Sequence, residues 1–164
     1  MSEVVPLIDY MINQHREILL SLRHIETLRS KMYEKNIQFD SALFREDILN
    51  LDRQLKLHKK LEEETIFPLM ATFTGYDGPA SFVELEHQRI WDLLEELKMI
   101  VRGSDVMMND TAFFESLTAL DNLLHLHIEK ENQVLYPQVE KYLKNHFHSQ
   151  VVKDFQDRFA ATIG

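Results

Sequence analysis

The sequence contains no cysteine. That excludes a disulfide framework, a thiolate zinc site and iron–sulfur ligation by this chain. Glycine and proline are scarce, four of each in 164 residues, which favours helices over a turn-rich β fold. Positive charge is in deficit: 18 Lys and Arg against 27 Asp and Glu leave a net charge of −9. A chain this acidic offers no basic patch to a nucleic-acid backbone or to an anionic membrane. Long apolar runs are missing too. None approaches the roughly 18 residues of a membrane span, and the first residues carry Glu3 and Asp9 instead of the basic start of a signal peptide. The expectation is a cytoplasmic chain with no nucleic-acid or membrane partner, forming one domain over residues 1–164.

What the sequence does have is helical periodicity. Apolar residues recur three and four positions apart, the mark of amphipathic helices. The pattern predicts four long helices at 6–36, 40–73, 81–103 and 110–144, and a short fifth at 145–162. Asp40 or Ser41 can cap the second, a turn cluster at 74–79 ends it, and Gly103 stops the third. The buried stripes run through Met11 and Ile18, through Leu55 and Leu69, through Val83, Ile90 and Leu97, and through Leu120, Leu124 and Val134. Short connections make neighbours antiparallel, so the fold class is an all-α, up-down-up-down four-helix bundle. Val151, Phe155 and Phe159 give the fifth helix an apolar side. It either covers the bundle or meets a second copy of the chain in a homodimer.

Each of the four stripes contains a histidine where an apolar residue is expected, and two contain a glutamate: His15; His58 and Glu62; His87; His127 and Glu131. Buried carboxylates are costly without a compensating cation or hydrogen bonds. Four imidazoles and two carboxylates on one bundle axis satisfy one another by ligating metal. A lone His-x3-Glu is weak, since a chain with eight His yields such a pair by chance. The spacing does place both groups on one helix face, about 6 Å apart. The longer motif is specific. His58 and Glu62 lead to Thr65-Ile66-Phe67-Pro68, and His127 and Glu131 lead to Val134-Leu135-Tyr136-Pro137, in register. Gln14-His15 likewise matches Glu86-His87. The chain is thus two helix pairs, each supplying His and then His-x3-Glu. Each proline removes a backbone hydrogen bond, so both helices should kink or loosen there.

These motifs resemble the hemerythrin-like, HHE cation-binding family, and the resemblance covers the four long helices. It implies two iron ions, with Glu62 and Glu131 as bridging ligands and His15, His58, His87 and His127 as terminal ones. The set also resembles that of the di-iron proteins of iron–sulfur cluster repair. Oxygen-carrying hemerythrins have a further histidine one turn from the third-helix ligand; here those positions hold Val83 and Trp91. By ligand type alone zinc or manganese would also suit, but six ligands exceed a four-coordinate structural zinc and fit a bridged pair of ions.

The function implied is binding of a small molecule, O2, NO or peroxide, at a carboxylate-bridged pair, in oxygen or redox sensing or handling. The alternatives are enzyme-like redox chemistry or iron donation, as in peroxide or NO detoxification or cluster repair, and a purely structural metal site. No Cys-bearing N-terminal region accompanies the motifs, which counts against the repair label. The pair His125/Glu129 reads as a solvated face. His24 lies nine residues past His15, about 13 Å along the axis, and with His146 and His148 reads as surface. Glu63 and Glu64 read as a solvent face, with support of a metal-bound histidine as the sharper alternative. Glu84 with His87 makes a single Glu-x2-His, where a ferritin-like site needs two. Tyr10 and Trp91 read as core, or else as the lining of a small-molecule tunnel.

Overall fold

The periodic segments form helices close to where the pattern puts them. A computed structural model describes residues 4–74, 78–103 and 110–164, with residues 4–6, 74 and 78–84 described by their backbone alone. Helix α1 spans Val4–Glu34. It closes on Asn36, whose φ of 52° is the left-handed conformation that lets the Ile37 N–H reach back to the Met32 carbonyl at 2.9 Å. Asp40 accepts from the Ala42 N–H and starts a short 3-10 turn, Ser41–Phe44, as its capping role predicts. The second long rod is α2 (Arg45–Leu61), a π-helical turn (Glu62–Ile66) and α3 (Phe67–Thr74). The third is α4 (Gly78–Arg102). The fourth is α5 (Asp110–Lys130), a π-helical turn (Glu131–Leu135) and α6 (Tyr136–Asn145). Helix α7 (Gln150–Ile163) follows. Among the described residues no helix is long and apolar enough to cross a membrane.

Neighbours run antiparallel. Arg29, near the end of α1, pairs at 3.0 Å with Asp110 at the start of α5, and Arg45 at the start of α2 donates to the Val101 carbonyl near the end of α4 at 3.2 Å. The rods bury two apolar clusters. One holds Ile18, Leu51, Phe44, Leu94, Phe113 and Leu120; the other holds Met11, Leu61, Phe67, Leu135, Tyr136 and Phe155. The stripe histidines lie between them in sequence, His15 between Met11 and Ile18, for example, so a polar slab divides the core.

Some expectations need correction. Helix α4 begins at Gly78, not near Ser81, because Pro79 is tolerated in a first turn whose N–H groups have no partner anyway. The turn expected at 74–79 is narrower than that, since residue 74 closes α3 and residues 78 and 79 open α4; residues 75–77 and the Val83 and Glu84 side chains lie outside the described residues. Helix α7 begins at Gln150, where Ser149 caps it by accepting from the Val152 N–H, not at Asn145. Val152, not Val151, is its fully buried valine; with Phe155 and Phe159 it packs within the chain, so the helix covers the end of the bundle.

The two prolines act as expected, and their effect is specific. Pro68 and Pro137 cannot donate to the preceding turn, and their rings would crowd it. Each is preceded by one widened turn, in which the Phe67 N–H bonds the Glu62 carbonyl and the Tyr136 N–H bonds the Glu131 carbonyl, five residues back. The extra residue shifts the buried face. Val134, expected in the core, is 52% exposed, while Leu135 is 3% exposed. This register is testable by chemical denaturation. Leu135→Ala should cost about 2–5 kcal/mol, and Val134→Ala about 0.5 kcal/mol or less; equal costs would contradict the shifted register.

Candidate metal centre

Each of the six stripe residues is fixed by a different part of the bundle. His15 comes from α1, His58 from the last turn of α2, His87 from α4 and His127 from the last turn of α5. Glu62 and Glu131 open the two π-helical turns. All six are buried, and both glutamates are fully shielded from solvent. The structure brings all six together.

The four imidazoles point their Nε2 atoms at one another and at the carboxylates. His15 and His58 approach to 2.9 Å and His87 and His127 to 3.1 Å. Glu131 Oε1 lies 3.1 Å from His15 Nε2 and 3.0 Å from His127 Nε2. Glu62 contacts His58 through Oε1, and its Oε2 lies 3.4 Å from His87 Nε2. Two four-residue sets result, His15, His58, Glu62 and Glu131, and Glu62, His87, His127 and Glu131, each with its ligand atoms within 4.8 Å of one another. They share both glutamates.

The outer nitrogens decide what the inner ones offer. His15 Nδ1 donates to Asn132 Oδ1 at 2.8 Å, His58 Nδ1 to Gln14 Oε1 at 2.8 Å and His127 Nδ1 to Glu86 Oε2 at 2.7 Å. With the proton on Nδ1, a neutral imidazole presents its Nε2 lone pair inward. Lone pairs facing at about 3 Å repel unless a cation or proton lies between them. Among the described residues the second carboxylate oxygens, Glu62 Oε2 and Glu131 Oε2, are buried without a hydrogen-bond partner, a costly condition that a cation relieves. The donor set therefore fits a pair of metal ions, iron included.

Without metal, protons take that role. Burial opposes a charged imidazole at His58, but the adjacent Glu62 and Glu131 carboxylates outweigh it and lift its pKa to about 10. At His127 burial is overcome by Glu131, Glu62 and Glu86, giving about 9. Burial alone would raise the pKa of Glu131, yet hydrogen bonds from His127, His15 and His58 hold it well below the usual carboxylate range.

Tyr136, the aromatic residue of the second motif, joins the centre; its part in the site was not anticipated. The π-helical turn carries it over the face of Glu131. Its ring stacks on His15 at 5.4 Å, and its hydroxyl donates to Glu62 Oε1 at 3.1 Å. Burial, then the two carboxylates, push its pKa well above the ordinary phenol value, so it stays a donor. Asn132, Gln14 and Glu86 were also missed in this role. Their signal was adjacency: each sits next to a stripe histidine or glutamate.

Beside the imidazoles lies a cavity of about 20 Å3, bounded by the four histidines and by Ile18, Leu55, Ile90, Trp91, Leu124, Ile128 and Lys59. Half-buried Trp91 thus packs against the core and lines this space, with the Lys59 ammonium 4.8 Å over its ring. Tyr10 packs edge-on against Phe159. The rival residues fall outside. His24, His125, His146 and His148 are exposed, and His125 pairs with Asp121 at 3.0 Å. Glu63 faces out to Lys59, and Glu64 accepts from Thr162.

The model of the hemerythrin HHE cation binding domain matches residues 6–139. Similar curated proteins include the iron-sulfur cluster repair protein YtfE of Enterobacter sp. (strain 638), 28% identical over 141 residues, which cover 80% of this chain and 64% of that protein. YtfE of Escherichia coli O1:K1 is 27% identical over 146 residues, covering 83% and 66%. The chain spans just under two thirds of the length of these relatives. No solved structure matches significantly.

The protonated centre sets a pH signature for the chelator-treated protein. The raised pKa values of His58 and His127 stabilise the fold below their ordinary 6.5, and that contribution is lost as pH rises through about 9 and 10. The lowered pKa of Glu131 contributes above its ordinary 4.5 and is lost as pH falls below it. The thermal midpoint should therefore peak between about pH 5 and 6.5 and fall on both sides. A midpoint that climbs from pH 6.5 to pH 9 would contradict proton compensation.

Proposed function

This chain belongs to the hemerythrin HHE cation-binding domain family, and from that premise we propose that it is a non-haem di-iron protein that binds O2, NO or peroxide. In this reading His15, His58, His87 and His127 are terminal ligands, and Glu62 and Glu131 bridge the two ions. The observation that carries it is the cavity of about 20 Å3 against the inner faces of all four ligand histidines. A volume of that size admits about one water-sized molecule, and its walls of Ile, Leu and Trp suit a small apolar ligand such as a diatomic gas.

Iron held there would supply a redox-active Lewis acid to the molecule in the cavity. The rest is done by the chain. Asn132, Gln14 and Glu86 set the orientation of three imidazoles. Ile90, Leu124 and Ile128 give the cavity apolar walls. Tyr136 holds a proton at its hydroxyl, next to Glu62. A second reading, redox handling or a repair role, is favoured by the names of the relatives.

Protein purified without chelator should carry about two irons per chain. Glu62→Ala and Glu131→Ala should each lose most of the metal, whereas Glu129→Ala, on the exposed face, should keep it. Unchanged metal in both bridging variants would refute the ligand assignment. Ile90→Phe, which fills the cavity, should keep the metal and slow the spectral change on adding O2 or NO at least tenfold (about 1.4 kcal/mol).

A further inference from the structure

The internal repeat allows the two halves of the centre to be compared position by position. One feature is shared: Gln14 holds His58 in the first half, and Glu86, its counterpart, holds His127 in the second. The second-half partner is a carboxylate rather than an amide, and Lys130 shares it.

The leading histidines differ. His15 Nδ1 donates to Asn132 at 2.8 Å. His87 Nδ1 is buried and, among the described residues, has no hydrogen-bond partner. Glu63 occupies the place in the first motif that Asn132 holds in the second, but its side chain is 43% exposed and lies 3.6 Å from Lys59. The aromatic residues differ in the same sense. Tyr136 stacks on His15 with rings 13° from parallel and donates to Glu62. Its counterpart Phe67 meets His87 at 6.0 Å and 31° and has no hydroxyl. The outer side of the His15 ring is thus held by a hydrogen bond and a parallel stack, whereas among the described residues that of His87 has only the looser, tilted contact with Phe67.

We propose that the two ion positions are inequivalent, and that Asn132 and Tyr136 are the positioning residues that make them so. This rests on the di-iron reading above. The position between His15 and His58 fills first and holds its ion. The position between His87 and His127 fills last and releases its ion first, so it is the exchangeable one. Outer hydrogen bonds to ligand histidines change metal affinity by about 10- to 100-fold, and the two positions should differ by that factor.

The test is a titration of the chelator-treated full chain with Co(II), read by calorimetry and by Co(II) absorption, with far-UV circular dichroism to verify the fold of each variant. Two steps should appear, with affinities about 10- to 100-fold apart. His87→Ala should abolish the weaker step, and His15→Ala the tighter one. Asn132→Ala, at a half-buried position, should weaken the tighter step about tenfold and leave the weaker one in place. Tyr136→Phe should preserve the stack and narrow the gap by a smaller factor. Two steps of equal affinity, or an Asn132→Ala variant that weakens both alike, would overturn the inequivalence and leave the di-iron reading standing. Fewer than two ions bound by the unaltered chain would overturn the di-iron reading itself.

Discussion

Two carboxylates with no solvent contact lie at the middle of this bundle, and the rest of the centre is arranged around their charge. A buried carboxylate is tolerated only when positive charge and hydrogen bonds replace the water it has lost. Glu62 and Glu131 meet that condition with four imidazoles, one phenol and, in the metal-free state, the protons that His58 and His127 retain up to about pH 10 and 9. A pair of metal ions answers the same demand with more charge in the same space. Proton and metal compete for the same nitrogen lone pairs, so the site is coupled to pH whichever one holds it.

The position of this charge divides the core. An unbroken apolar core would pack along the whole bundle; here one cluster built on Phe44 and Phe113 and another built on Phe67, Tyr136 and Phe155 are separated by the polar slab. Helix α7 contributes Phe155 and Phe159 to the second cluster and thereby seals the end of the bundle that the widened turns loosen. The prolines belong to the same arrangement. By preventing regular hydrogen bonding after each glutamate they force a wide turn, which lets the residue five positions on share the glutamate's face. That is how Tyr136 and Phe67 reach the centre.

Much of this was legible in the sequence. Histidines and glutamates at core positions of four amphipathic stripes conflict with burial unless they meet, and two motifs in register marked them as one constellation. The family match and the helical architecture agree with that reading, and the six residues do converge. Boundaries were less legible. Pro79 and Ser149 mark where α4 and α7 start, and a hydrophobic pattern does not weigh a proline in a first helical turn against a loop. The burial of Val134 was misjudged because a 3.6-residue period carries no record of an inserted residue.

The sequence by itself determined which residues can compensate one another, because residue type, helical spacing and repetition are properties of the chain. It also determined that the helices would loosen at Pro68 and Pro137, because a missing N–H is a covalent fact. Only the tertiary structure decided which partner each outer nitrogen finds. Asn132 reaches His15 across 117 positions of chain, whereas Glu63, at the matching place, turns to Lys59, and among the described residues His87 has no hydrogen bond at its outer nitrogen. Such choices depend on how α1 packs against the fourth rod and α4 against the second, where small differences in side-chain direction separate a 2.8 Å hydrogen bond from none. A repeated sequence is symmetric in its pattern; the packed bundle is not, since each half meets different neighbours.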